Sequence, residues 1–191
     1  MLAATQGGKM HINDAQQDFR RAYVDGGPGL LISGLVWLAA ASTTQSQGTG
    51  RGFAVLFIGG MIIHPISTVL CRTLFGRAKE APGNPLAGAA LESTIAMIGG
   101  LVAAWLLIPL HAEYVFPVAA IAAGTRYALF KTIYGDSVFW LLAGLLTGVG
   151  LLVIFVGAQF PLSPGFAVGG IELVFASLFL ARNRRSRPLT A

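Results

Sequence analysis

Four ionisable side chains interrupt stretches that are otherwise hydrocarbon-like: His64 in FIGGMIIHPISTVLCR, Glu92 in ALESTIAMIGG, Arg126 in AAGTRYALF and Glu172 in GGIELVFAS. Such a group deep in a membrane span costs about 2.5 to 3.5 kcal/mol on insertion scales, so it needs a partner, a wet cavity or a neutral form. Glu172 falls near the middle of its run, on a face with Gly165, Gly169 and Ala176. There a carboxyl can serve as a proton-coupling site, or it can simply bond a neighbouring helix. His64 lies on a helical stripe with Gly60, Ser67, Thr68 and Cys71, a polar face running toward Arg72. Faces of this kind line cavities in transporters and also form buried hydrogen-bonded seams. Pro65 withholds a backbone donor from the Met61 carbonyl and predicts a kink. Glu92 and Arg126 fall in neighbouring antiparallel runs, which makes an ion pair between them the economical expectation, with Arg126 otherwise snorkelling to the membrane surface.

Other chemistries find no foothold. The chain holds no GxSxG, Walker loop, HExxH or CxxC pair, so a membrane-embedded enzyme, the least favoured reading, would need an active site of another kind. Its one cysteine, Cys71, excludes an internal disulfide, and His11, His64 and His111 are scattered without metal-ligand spacing. No catalytic, cofactor or metal site is expected.

The elements that must position these groups follow from composition. Of 191 residues 54% are hydrophobic and 11% charged, against roughly 25% charged in a soluble domain. Six apolar runs stand out, at about 28–43, 53–75, 85–110, 114–133, 137–158 and 164–181. A span needs roughly 20 residues, so the first run is short and must tilt less or borrow its flanks. The connectors are TTQSQGTGR, GRAKEAPGN, HAE, YGD and QFPLS. With six spans, Lys9, Arg20, Arg21, Arg72, Arg77, Lys79, Arg126, Lys131, Arg182, Arg184, Arg185 and Arg187 fall on one side and Arg51 alone on the other. The positive-inside rule makes the crowded side cytoplasmic and puts both termini there. The net charge of +5 thus reports topology and anionic lipid rather than nucleic acid.

Ahead of the first run, residues 1–10 read as disordered, and Asn13 and Asp14 with Gln16 and Gln17 as a capping box opening a short helix through Tyr23. Phe19, Ala22 and Tyr23 share a face that suits a helix lying on a membrane surface, and Asp25-Gly26-Gly27-Pro28 ends it. Arg20, Arg21 and LLISGLVWL have the outline of a signal peptide, but read better as a retained first span.

Close helix contacts are predicted at small residues: Gly144 with Gly148, Gly165 with Gly169, Ala120 with Gly124, and the stripe Ala89, Ser93, Ala96, Gly100, Ala103. The same stripes suit a dimer face. A small pair precedes each of His64, Arg126 and Glu172, which would fit three hairpin repeats. Trp37, Trp105, Trp140, Tyr114, Tyr127 and Tyr134 read as interface anchors, with Tyr127 alternatively facing the polar interior.

Asn84-Pro85-Leu86 at the start of the third span and AAGTRYALF in the fourth resemble a family of small bacterial six-span membrane proteins of unknown function. The resemblance implies no activity, cofactor or catalytic residue; the histidine usual in that family's fourth span is Arg126 here.

The expected architecture is an all-α polytopic membrane bundle of six transmembrane helices in a bacterial cytoplasmic membrane. A cytoplasmic segment with an amphipathic helix (1–26) precedes the transmembrane domain (27–181) and a basic tail (182–191). The expected function is a non-catalytic membrane subunit or scaffold whose buried polar cluster sets helix pairing. The alternative is a small proton-coupled transporter or channel using His64 and Glu172. Partners would be anionic inner-leaflet lipids, a second copy of the chain or a membrane-complex subunit, and no nucleic acid.

Overall fold

The structure is a computed structural model that describes residues 10–157 and 163–185, with side chains through Asn183. Of the segment 1–10 expected to be disordered all but Met10, of the QFPLS connector all but Ser163, and the end of the basic tail lie outside the described residues. Seven α-helices and no strands occur among the described residues.

The chain opens with α1 (Ile12–Tyr23). It starts one residue before the expected capping box. His11 is the N-cap and offers no side-chain cap, so Asn13 and Asp14 sit inside the first turn, where Asp14 suits the positive end of the helix dipole. Its exit is sharp: Val24, Asp25 and Gly26 take φ of 52°, 54° and 82°. Such angles are rare for a β-branched residue. Val24 is fully buried there.

Helix α2 (Gly27–Gln47) follows with Pro28 in its first turn, where the missing N–H costs nothing. It outruns the expected short span. Ser42, Thr43, Thr44 and Ser46 donate their hydroxyls to carbonyls one turn back, so most of the TTQSQ connector is helical. Gly48, at φ 88°, alone separates α2 from α3 (Thr49–Thr73). The remaining helices are α4 (Leu86–Leu106), α5 (Val115–Tyr134), α6 (Val138–Val156) and α7 (Pro164–Arg185).

Five segments are long and apolar enough to cross a membrane: Ile12–Gln47, Thr49–Thr73, Leu86–Leu106, Val138–Val156 and Pro164–Asn183. Helix α5 has 20 residues but carries Arg126 and Lys131, which dilute its apolar character. The membrane fold is thus legible by length and composition, and α5 is the long helix whose sequence is least hydrocarbon-like.

The six long helices form an open arc in the order α3, α2, α7, α6, α5, α4. Gly34 of α2 and Gly169 of α7 make a close crossing: a β-carbon on Gly169 would stand 2.9 Å from the Gly34 carbonyl oxygen. Gly165 likewise abuts Ala41, and Gly124 of α5 abuts Ala143 and Thr147 of α6. Gly144 and Gly148 do not pack, since a β-carbon on either would meet nothing within 4 Å. The small stripe on α4 is also only partly inward: Ser93 is buried and Gly100 meets Ala122, while Ala96 and Ala103 are exposed. The three hairpins are not packed alike, because α7 leans mainly on α2 and α6 mainly on α5.

Helix α1 does not lay its apolar face in lipid. Ala15, Phe19 and Ala22 are buried against one end of the bundle. Gln16 and Arg20 donate to the carbonyls of Thr132 and Tyr134 at the end of α5. The α3–α4 connector folds over α1 from the other side: Asp18 accepts from the Ala81 N–H at 2.7 Å and from Asn84 Nδ2 at 3.0 Å. Asn84 also donates to the Ala15 carbonyl and accepts from the Leu86 N–H, both at 3.0 Å. That is the structural meaning of Asn-Pro-Leu: one buried amide joins α1, the connector and the first turn of α4. Arg77 reaches Asn183, and Arg182 reaches Asp136 at 3.5 Å, so the basic residues gather at this end.

The aromatic belt is partial. Trp105 and Trp140 are exposed, but Trp37, Tyr127 and Tyr134 are buried in the core. They follow their helices' packing faces rather than the interface.

Candidate functional site

A cavity of about 480 Å³ opens where the arc fails to close, between α3 and α4, which barely meet. This lies within the roughly 300–1,000 Å³ common for small-molecule sites. Helices α2 and α5 form its back wall, and Phe19 and Tyr23 of α1 close its basic end.

The polar stripe predicted on α3 faces this space. Gly60, His64, Ser67 and Cys71 all line it. Thr68 does not; it borders a small hollow beside Arg72 and Lys79. The helix runs unbroken through Pro65, and Ser67 donates its hydroxyl to the His64 carbonyl at 3.0 Å. His64 itself is exposed toward the cavity, its ring 6.0 Å from that of Tyr23. Tyr23 in turn donates to Glu80 at 2.9 Å, at the cavity's basic end.

Arg126 and Tyr127 enter from α5. Arg126 lies eight residues before Tyr134, about 12 Å along the helix. It does not pair with Glu92. One Nη contacts the Met97 sulfur at 3.6 Å, and the guanidinium stacks 5.1 Å from the Phe130 ring centre. Glu92 points outward instead: Ser93 is the fully buried residue on that turn, and Glu92 is one position, roughly 100°, away from it.

Glu172 is fully buried on α7 and accepts from the Tyr127 hydroxyl at 2.9 Å through Oε1. Ser33 of α2 stands beside both groups. Oε2 of Glu172 has no protein hydrogen-bond partner. Glu172 does not line the cavity. Tyr127 and Ser33 stand between: both line the cavity, and the Tyr127 hydroxyl bonds the carboxyl. The structure therefore brings His64, Ser67, Arg126 and Tyr127 to one space, sets Glu172 directly behind it, and leaves Glu92 and Thr68 outside.

Tyr127→Phe is expected to destabilise the fold by about 2 kcal/mol, because it strips a buried carboxyl of the Tyr127 hydroxyl that donates to it. Glu172→Gln keeps an acceptor for that donor and should cost less. Thermal unfolding of the two variants in detergent ranks them; equal losses would show that the bond contributes little.

Sequence reasoning missed Asp18, Tyr23, Ser33, Glu80 and Asn84 as parts of this region. Asn84 had a signal in the Asn-Pro-Leu motif. Asp18, Tyr23 and Glu80 are ordinary polar residues of α1 and the connector that only the docking of α1 gathers, and Ser33 is a lone serine inside α2 whose neighbours come from α5 and α7. Among the described residues no three His, Cys, Asp or Glu side chains converge as metal ligands. What the arrangement can do is surround a small molecule with one cation, an imidazole, several hydroxyls and a largely hydrocarbon wall, with the Glu80 carboxylate held by Tyr23 at one end.

The model of a family of unknown function, DUF7010, matches residues 12–182, which takes in all seven helices nearly end to end. No curated protein and no solved structure matches the chain.

Proposed function

The chain belongs to this family of unknown function, so its role has to be read from its own geometry, and we propose that it is a non-catalytic membrane protein that holds a small ligand in the cleft between α3 and α4. The observation that carries this reading is the cavity itself. A bundle whose polar groups served only to pair helices would bury them against one another, as Glu172 and Tyr127 are buried. His64, Ser67 and Arg126 instead face open space. Proton-coupled transport through His64 and Glu172 has less support, since Tyr127 separates the carboxyl from the cavity. On the same reading the basic end faces the cytoplasm of a bacterial cell and its anionic leaflet, following the sorting of lysine and arginine.

Native mass spectrometry tests the proposal. Protein released from its membrane should carry a bound small mass at near one-to-one stoichiometry, and Gly60→Phe should lack it. Gly60 lines the cavity and a β-carbon there meets nothing within 4 Å, so the substitution fills space without disturbing the helix. A wild-type protein free of any bound mass, or a mass that persists in Gly60→Phe, would contradict it.

A further inference from the structure

Arg126 is the member of the cavity wall whose chemistry is unmet. Its guanidinium has five donors. One contacts a thioether, a weak acceptor, at 3.6 Å, one face stacks on Phe130, and the buried Nε has no hydrogen-bond partner. Among the described residues no carboxylate pairs with it. A cation held inside a membrane bundle is costly unless it is paired, and a guanidinium's planar fork matches a carboxylate or phosphate two bonds at a time.

The carboxyls nearby are already engaged. Glu80 is bonded by Tyr23 at the basic end, and Glu172 lies behind Tyr127. Beyond Tyr23, Glu80 and Tyr134 at the basic end, the polar groups that share the cavity with Arg126 include Ser33, His64, Ser67, Thr94 and Tyr127. Away from them the wall is hydrocarbon, and its rim is exposed: Met61 on α3 and Leu91 and Ile98 on α4 line the cavity yet are 59%, 63% and 40% exposed. The opening therefore faces sideways, between apolar lips on two membrane-spanning helices. It faces lipid rather than water.

Resting on the ligand-holding reading above, we infer that the cavity takes an anionic amphiphile, its carboxylate or phosphate head on Arg126 and its hydrocarbon chain passing out between α3 and α4. The inner end supplies charge and hydroxyl groups for a head. The outer end supplies hydrocarbon for a tail. A small inorganic anion would leave the apolar half unfilled, and a neutral lipid would leave the guanidinium unmet.

Equilibrium binding of NBD-labelled stearate and its methyl ester to the full-length protein in neutral-lipid nanodiscs tests the inference. The acid should bind saturably, should be displaced by stearate and lysophosphatidate, and should resist acetate and inorganic phosphate. Arg126→Gln should weaken the acid by roughly 10- to 100-fold, as expected for loss of hydrogen bonds to a charged group, without changing the ester; Arg126→Lys, which keeps the charge and loses the planar fork, should fall between the wild type and Arg126→Gln. Should Arg126→Gln not fold, the comparison of acid with ester on the wild type decides. An ester that binds as tightly as the acid overturns the anionic head while leaving a ligand in the cavity. Displacement by acetate or phosphate as effective as by stearate overturns the amphiphile. Acid binding unchanged in Gly60→Phe would place the probe outside the cavity and overturn this inference.

Discussion

Gly169→Ala should destabilise the protein by about 1 to 3 kcal/mol, whereas Gly144→Ala should leave it unchanged or raise its stability by about 0.5 to 1 kcal/mol. Both glycines belong to GxxxG pairs in apolar helices, and sequence alone treats them alike. The structure separates them. A methyl on Gly169 meets the Gly34 carbonyl oxygen at 2.9 Å and Leu38 at 2.8 Å. The Leu38 side chain can move, but backbone oxygen cannot, so α2 and α7 must part. A methyl on Gly144 points into open space, and there the lower backbone entropy of alanine favours the helix. Thermal unfolding of the two variants under one detergent condition reads the contrast directly. Equal destabilisation would mean that α6 is packed through Gly144 against something outside this chain.

Asn84→Ala should cost about 3 kcal/mol and release α1 from the bundle. The amide joins the Ala15 carbonyl, the Asp18 carboxylate and the Leu86 N–H, and it is 4% exposed, so water does not readily replace it. An unmet buried partner costs about 1 to 3 kcal/mol. Freed, α1 would withdraw Phe19 and Tyr23 from the end of the cavity. Trypsin cleavage after Arg20 and Arg21 should then run well ahead of cleavage in the wild type, where Arg20 is tied to the Tyr134 carbonyl. Cleavage at the wild-type rate would show that the apolar face of α1, through Ala15, Phe19 and Ala22, holds it in place alone.

The sequence carried the helices well and their rotations poorly. Apolar runs bounded by glycine, proline and charge marked each long helix within a few residues, the main exception being α2, which serine and threonine back-bonds extend to Gln47. The polar part of the cavity wall on α3 was also legible, Thr68 excepted, because Gly60, His64, Ser67 and Cys71 recur at helical spacing, whereas its apolar lining by Phe57, Met61 and Ile63 was not. The pairing of Glu92 with Arg126 failed for a geometric reason. Antiparallel neighbours share a depth, but depth says nothing of the angle around each axis, and Ser93 rather than Glu92 takes the inward position. The bond between Tyr127 and Glu172 spans 45 residues and joins α5 to α7, which no local pattern encodes. The floor of the cavity was invisible for a related reason: the amphipathic face of α1 fits lipid and protein equally, and only the Asp18 and Asn84 contacts decide between them.

The central claim is that the cleft between α3 and α4 is a ligand site rather than a gap in packing. An experimental map of the protein in a lipid nanodisc tests it most directly. Non-protein density running from the Arg126 guanidinium past Met61 and Leu91 is the predicted result. A map with α3 and α4 closed on each other, Met61 in contact with Leu91 and no space left beside Arg126, would contradict it.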